Sequence, residues 1–139
     1  MKKEELLQSY EATFHTAGQD VFFSPGRINV IGEHTDYNGG RVFPCAISLG
    51  TFAAYGPRDD DEVHLASLNM DGKVVSFKLD DDQPETDDDK QWANYFKGML
   101  VYLKQAGHQI DHGFNLLVHG NLPYGAGLSS SASIEMLMG

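Results

Sequence analysis

Hydrophobic residues recur at helical spacing near the start of the chain. Leu6, Leu7, Tyr10 and Phe14 fall on one face of a helix, which predicts an amphipathic first helix. Gly18 is predicted to end this helix in a left-handed conformation. A second run with the same period ends near residue 107 and predicts another helix; it comprises Trp92, Tyr95, Phe96, Met99, Leu100 and Leu103.

Short runs rich in β-branched and aromatic residues lie between these helices, separated by turn-forming residues, which favours strands. The segment from Met70 to Lys73 predicts a hairpin, because its Asp71-Gly72 pair tolerates the positive φ of a tight turn. Strands with interleaved helices and weak signatures of parallel pairing predict an α+β domain. The predicted strands are residues 21–23, 27–31, 49–55, 63–68, 74–79 and 114–119.

The composition is that of one globular domain. A chain of 139 residues with 41% hydrophobic residues is long enough to bury a core, and no repeat, linker or second domain is visible. A net charge of −10 argues against a nucleic-acid partner, because the ten basic residues are scattered among twenty acidic ones. The charge therefore indicates solubility rather than binding to a polyanion.

The cysteine content and the N-terminal segment bear on where the protein is located. Cys45 is the single cysteine and lies in the apolar run VFPCAISL, which predicts a buried structural thiol and fits a reducing cytoplasm. The N-terminal segment MKKEELLQSYEATF is amphipathic and lacks the apolar run of a secretion signal or membrane span. We therefore expect a cytoplasmic protein with no membrane partner.

The stretch from Asp80 to Asp89, with the sequence DDDQPETDDD, is strongly acidic. Mutual repulsion and the missing donor of its proline predict a solvated, disorder-prone loop, and a calcium site is the alternative.

A glycine-and-serine segment near the C-terminal end of the sequence, GAGLSSSAS, follows a predicted strand and precedes an apolar helical stretch. Its glycines allow close approach of the backbone to a phosphate, and the first N–H groups of a helix attract negative charge. No lysine follows Gly125 and Gly127, so the Walker motif is absent. Ser130 stands where a dinucleotide-binding motif has its third glycine. A serine-capped helix after a flexible turn remains the structural alternative.

The segment from Pro25 to Gly40, PGRINVIGEHTDYNGG, concentrates charge between glycines; its chemistry-bearing residues are Arg27, Glu33, His34, Asp36 and Asn38. Carboxylates and an imidazole can bind sugar hydroxyls, and a guanidinium can stabilise the charge of a transferring phosphoryl group. A metal site is the rival interpretation, although adjacent Glu33 and His34 give awkward ligand geometry. A purely structural turn, satisfied by its own side chains, also stays open.

Together, the two segments resemble motifs one and two of the GHMP small-molecule kinases. PGRINVIGEHTDYNGG is similar to the signature of the galactokinase branch, and WANYFKG, residues 92–98, extends the resemblance. It implies the fold of the GHMP kinase N-terminal domain (ribosomal protein S5 domain 2-like), a mixed sheet with helices on one face. Residues 1–139 would form that domain in truncated form, without the C-terminal domain.

The resemblance also implies a reaction, phosphoryl transfer from ATP to the anomeric hydroxyl of galactose, with Mg²⁺ as cofactor. Arg27 would stabilise the transition state, Ser67 and Trp92 would contact the nucleotide, and Ser131 would be a Mg²⁺ ligand. The residues expected to hold galactose are Glu33, His34, Thr35 and Asp36. The residues expected to surround the ATP phosphates are Gly125, Ala126, Gly127, Leu128, Ser129, Ser130 and Ser131.

The resemblance is incomplete. Galactokinases are much longer, and their general base, a second Mg²⁺ carboxylate and a sugar-binding tyrosine lie downstream of the matched part. We therefore expect this chain to be part of such an enzyme, a monomer that is inactive alone because the base is missing. A galactokinase-like sensor, which binds sugar and ATP without catalysis, is the alternative.

Overall fold

The computed structural model describes residues 1–32, 34–123, 128 and 130–139, without the side chain of Asp36. Within this described part, five strands form one sheet and three α-helices pack against it. Two single turns of 3₁₀-helix, Asp36–Asn38 and Gln91–Ala93, complete the regular structure. The helices and strands in chain order are α1 (Lys3–Phe14), β1 (Asp20–Ile31), β2 (Phe43–Pro57), β3 (Glu62–Ser67), β4 (Val75–Lys78), α2 (Asn94–Gln105), β5 (Phe114–Gly120) and α3 (Ser130–Met138).

The sheet has the strand order β1-β2-β5-β3-β4. Strands β3 and β5 are parallel, whereas the other neighbouring pairs are antiparallel. This mixed sheet confirms the predicted α+β class. Within β2, only the part from Thr51 to Pro57 pairs with β5. The rest of β2 and its partner β1 extend beyond the end of β5 as a two-stranded ribbon.

Both faces of the sheet are covered, because successive side chains of a strand point to opposite faces. Ala53 and Leu116 face a core that includes residues of α2 and α3. Their neighbours Ala54 and Leu117 face a second core that is built with Leu6 and other residues of α1. The expectation that the helices lie on one face of the sheet was therefore wrong for α1. Its amphipathic pattern predicts that it packs against the sheet, but not against which of the two faces.

The first helix ends earlier than predicted. His15 adopts the left-handed conformation, with φ of 56°, and its N–H donates to the carbonyl of Glu11. Gly18 lies beyond the helix, where a Cβ would come within 2.8 Å of Leu7 Cδ2. Gly18 thus packs closely against the side chains of Leu7 and Tyr10 and does not form the helix cap.

The predicted strands 21–23 and 27–31 are one continuous strand, β1. Its register with β2 shifts between Pro25 and Arg27 and again between Asn29 and Ile31, so the sequence break marks an irregularity and not a strand end.

The predicted hairpin between β3 and β4 is confirmed, with left-handed φ at Asp71 (46°).

Cys45 is exposed, so the prediction of a buried thiol was wrong. It pairs with Ile28 in the ribbon beyond the end of β5. The apolar run around it indicates a strand, but burial also requires a layer above that strand.

The acidic segment, residues 80–89, connects β4 to the 3₁₀ turn before α2. Its residues are exposed, as predicted for a solvated loop, except Asp81 and Glu85. These two are partly buried and form ion pairs with the buried Lys97 of α2, so the expectation of disorder needs correction there. Among the helices of the described residues, none has the length and apolar character that a membrane crossing requires.

Candidate functional site

The turn after β1 is closed by Thr35. Its N–H donates to the carbonyl of Gly32, and its own carbonyl accepts the N–H groups of Asn38 and Gly40 at 3.1 and 2.7 Å. The Thr35 hydroxyl lies 3.0 Å from the carbonyl oxygen of Gly32 and 2.9 Å from that of Arg41. The single hydroxyl hydrogen is therefore used inside the turn, and contact of Thr35 with a sugar stays a prediction.

Two glycines make this turn possible. Gly32 has φ of +104°, and a Cβ there would lie 2.7 Å from the carbonyl oxygen of Arg41. At Gly40 a Cβ would lie 2.7 Å from Cβ of Thr35. Both positions combine close backbone approach with the absence of a side chain, so the glycines that bracket the charged residues fix the shape of the turn.

His34 and Tyr37 project from this turn and are exposed. Nδ1 of His34 is 3.0 Å from the hydroxyl of Tyr37, and the Asn38 amide donates to the carbonyl of His34 at 2.9 Å. The turn thus orients an imidazole toward solvent. Glu33 and the side chain of Asp36 lie outside the described residues, so their predicted sugar contacts stay predictions.

The strand that leads into this turn contacts the predicted phosphate loop. The N–H of Arg27 donates to the carbonyl of Leu128 at 3.2 Å. A Cβ on Gly26 would lie 2.6 Å from Leu122 Cδ2 and 2.9 Å from the carbonyl oxygen of Leu128. The two sequence motifs, far apart along the chain, are therefore adjacent in the fold. Arg27 contributes its backbone to their contact, and its side chain is exposed.

Helix α3 is fixed to the same part of the sheet. The hydroxyl of Ser133, which is 2% exposed, donates to the carbonyl of Ser24 on β1 at 2.8 Å and lies 3.0 Å from the hydroxyl of Thr51 on β2. The first turn of α3 carries Ser130 and Ser131, both exposed. The N–H groups of a first helical turn lack intrahelical partners and favour a negative charge.

The predicted phosphate loop is described only in part. Its Gly125, Ala126, Gly127 and Ser129 lie outside the described residues, whereas Leu128 is half-buried against β1. The proposed wrapping of phosphates by this loop stays a prediction.

A cavity of about 570 Å³ lies along α2 and the 3₁₀ turn before it, where Trp92 and Tyr95 line it and α3 contributes Glu135. The Ser131 hydroxyl donates to the hydroxyl of Tyr95 at 3.2 Å, so the first turn of α3 reaches this cavity. Trp92 packs edge-on against Phe96, with ring centroids 5.9 Å apart. Trp92 thus lines the same cavity as the tyrosine that Ser131 contacts, and the nucleotide contacts of both residues stay predictions.

Tyr95 was predicted only as part of the helical pattern and of the segment WANYFKG, without a role of its own in the site. It is 40% exposed and lines the cavity beside Trp92. Its position three residues after Trp92 on one helix face was the available signal. The hydrophobic pattern alone did not distinguish a core aromatic from one that lines a cavity.

Ser67 ends strand β3 and is buried. Its hydroxyl accepts the N–H of Asn69, and its carbonyl accepts the N–H groups of Met70 and Gly72. Ser67 therefore organises the β3–β4 turn. Residues of that turn line a second cavity of about 340 Å³, which Trp92 borders as well. A direct contact between Ser67 and a nucleotide stays a prediction.

A magnesium ion fits this arrangement only as a companion of phosphate. Ser131 offers one exposed hydroxyl oxygen, and among the described residues no group of three or more His, Cys, Asp or Glu side chains could hold a metal ion. Mg²⁺ commonly takes one or two protein ligands and completes its shell with phosphate oxygens and water. Ser131 can supply one protein ligand of such an ion, and its contact with Mg²⁺ stays a prediction.

Two family models match the sequence. The galactokinase galactose-binding signature matches residues 8–57, and the GHMP kinases N terminal domain matches residues 94–139. The first range includes the turn closed by Thr35, and the second includes α2, β5 and α3.

Relatives and solved structures agree with these matches. The galactokinase of Limosilactobacillus fermentum is 72% identical over the whole chain, which covers 36% of that protein. The structure of Lactococcus lactis galactokinase complexed with galactose is 47% identical, with a TM-score of 0.88, over 97% of this chain and 35% of that one. Methanococcus jannaschii mevalonate kinase, 22% identical with a TM-score of 0.69 over 86% of this chain and 38% of that one, shares the fold.

The chain thus spans about a third of the length of the relatives that it matches. Within that third, identity is high along the whole sequence, and the sheet and helices superpose closely on those of a galactokinase. In sequence and in fold, the chain therefore matches the N-terminal part of galactokinases, which are GHMP kinases.

Proposed function

We propose that the full-length protein to which this chain corresponds transfers the γ-phosphoryl group of ATP to the anomeric hydroxyl of galactose. One observation carries the proposal, the hydrogen bond from the N–H of Arg27 to the carbonyl of Leu128. It joins the glycine-and-serine loop to β1, the strand that leads into the charged turn. A phosphotransferase requires such contact, because its acceptor and donor must meet in line.

On the acceptor side, the turn would bind the sugar through Glu33, His34 and Asp36. The exposed imidazole of His34 supports this role, and the closed backbone around Thr35 gives the turn a defined shape. The Lactococcus lactis relative was solved with galactose, which makes galactose the preferred candidate. Thr35 would act mainly by holding the turn, with its carbonyl and hydroxyl directed inward.

On the donor side, the N-terminus of α3 would face the phosphates of ATP. Its unpaired N–H groups and the hydroxyls of Ser130 and Ser131 suit phosphate oxygens. Bound Mg²⁺ would supply charge neutralisation of the phosphates, with Ser131 as its protein ligand. The cavity along α2 would accept the nucleotide base, because Trp92 and Tyr95 give it an aromatic wall.

Arg27 would stabilise the charge that spreads over the phosphoryl group during transfer. Its backbone lies against the loop, and its exposed side chain leaves the strand at the junction of the two motifs. The sugar hydroxyl must also lose a proton, and the resemblance assigns no general base to residues 1–139. The 139-residue chain alone should therefore give no turnover.

We also propose a cytoplasmic location, supported by a single, unpaired cysteine.

The experiment that tests the proposal is a steady-state assay of the full-length protein with ATP, Mg²⁺ and a panel of hexoses. The expected result is phosphorylation with the highest kcat/KM for galactose. A clear preference for another sugar would contradict the substrate. Tight binding of galactose and ATP without formation of product would contradict the kinase activity and support the alternative, a sensor that binds sugar and ATP.

A further inference from the structure

Lys97 carries a charge in the interior of the protein. It lies on α2, is 4% exposed, and packs over the ring of Phe77 with Nζ 4.7 Å from the centroid. Its ammonium lies 2.8 Å from Oδ2 of Asp81 and 2.7 Å from Oε1 of Glu85, and it donates to the carbonyl of Gln83 at 2.9 Å. All three ammonium hydrogens therefore have acceptors in the acidic segment.

These partners make the buried charge tolerable. Burial alone would lower the pKa of Lys97, but hydrogen bonds and charges from Asp81 and Glu85 outweigh it and raise the pKa. In return, the hydrogen bond from Lys97 lowers the pKa of Asp81. Removal of one partner of such a buried group leaves the others uncompensated. Without the ammonium, two neighbouring carboxylates of a strongly acidic segment would repel each other.

Asn94 forms a second link between the acidic segment and α2. Its side-chain amide donates to the carbonyl of Glu85 at 3.0 Å and accepts the N–H of Glu85 at 2.7 Å. Gln91 adds a hydrogen bond to Asp88 at 3.0 Å. Trp92 lies between Gln91 and Asn94, so it belongs to the stretch of chain that these contacts close into a loop.

We propose that Lys97 is a positioning residue that, by clasping residues 80–89 onto α2, holds Trp92 in the wall of the candidate nucleotide site. Trp92 borders both the cavity along α2 and the second cavity, where Asp89 and Lys90 at the end of the clasped segment also lie. The link to the nucleotide rests on the proposed function. The link from Lys97 to Trp92 rests on the contacts above alone.

The first test uses fluorescence of the 139-residue chain, because Trp92 is its single tryptophan. Lys97→Met should shift the emission of Trp92 to longer wavelength and increase its quenching by acrylamide. Lys97→Arg, which keeps the charge, should restore most of the wild-type signal. The control Lys78→Met removes the same group from an exposed ion pair with Asp61 and should leave the emission unchanged.

A Lys97→Met chain that is folded by circular dichroism and keeps the wild-type emission would overturn the inference. If that variant does not fold, Glu85→Gln takes its place, since it removes one carboxylate and leaves the ammonium paired with Asp81. A smaller shift in the same direction supports the role of Lys97. An unchanged spectrum of Glu85→Gln overturns it.

The second test concerns the nucleotide. In the full-length protein, Lys97→Met should raise KM for ATP by about fivefold, near the lower end of what loss of base stacking on an aromatic ring costs. The kcat and the KM for galactose should change little. An unchanged KM for ATP would remove the nucleotide part of the inference. Wild-type protein without any kinase activity would refute the proposed function, yet the fluorescence result would still decide the role of Lys97.

Discussion

At the residue scale, Gly26 is the point where the two motifs touch. A hydrogen atom in place of a side chain lets β1 approach both the side chain of Leu122 and the carbonyl of Leu128. Arg27 follows directly and donates its N–H to the same carbonyl. The geometry of phosphoryl transfer would thus depend on a backbone contact that only glycine permits.

Gly26→Ala should therefore destabilise the protein by about 1–3 kcal/mol, the usual cost of forcing an extra methyl group into a packed site. Urea unfolding measures this change. Gly98→Ala is the matched control, because Gly98 is inside α2 with open space around its Cα, and alanine there should stabilise by about 0.5–1 kcal/mol. Equal stability of the Gly26→Ala variant and the wild type would show that the contact is loose.

Arg27→Met should lower kcat of the full-length protein by about 10²–10³-fold, the range found when a group that stabilises transition-state charge is removed. The KM values should change much less, since the interaction is expected to strengthen only in the transition state. Arg41→Met, which removes an exposed charge between the turn and β2, is the control with near wild-type kinetics. A rise in KM without loss of kcat would make Arg27 a binding residue.

Single residues also show what the sequence could and could not predict. The charged turn and the serine-rich loop were identifiable from residue types and spacing. Burial was not: Cys45 lies in an apolar run yet is exposed, because its strand extends past β5. Tyr95 has the spacing of a core residue yet lines a cavity, because the packing partner of that helix face is α3.

At the element scale, α2 presents different chemistry on its two sides. Lys97 binds the acidic segment, whereas Tyr95 borders a cavity together with Glu135 of the neighbouring α3. Sequence periodicity predicted the helix and its end near Gly107, which has a left-handed φ of 93°. It did not predict the clasp, because an acidic run indicates a solvated loop unless a distant lysine is known to be buried beside it.

The acidic segment should detach from α2 in acid. Because the pKa of Asp81 is lowered in the folded protein, its carboxylate stabilises the fold above the usual value of 3.8, and this contribution is lost as the pH falls through the lower folded pKa. Lys97, with a raised pKa, stays charged over this range. Urea unfolding from neutral pH to below pH 3.8 should show the wild type losing its advantage over Asp81→Asn. Parallel pH profiles of the two proteins would contradict the clasp.

At the scale of the whole molecule, a sheet covered on both faces places the two motifs at one end. The β1–β2 ribbon carries the charged turn beyond β5, and Ser133 fixes α3 beside the same strands. The α+β class and the strand run were predictable from the hydrophobic pattern and the resemblance. The face covered by α1 was not, because an amphipathic helix fits either side of a sheet whose both faces are apolar.

The central claim is that the charged turn presents the anomeric hydroxyl of galactose to the phosphate carried at the start of α3. Phosphorus NMR of the products formed by the full-length protein from ATP, Mg²⁺ and galactose tests it directly. The predicted result is a single sugar phosphate, with the phosphate on the anomeric oxygen. Phosphate on another hydroxyl, or release of inorganic phosphate with the galactose unchanged, would contradict this placement of the two motifs.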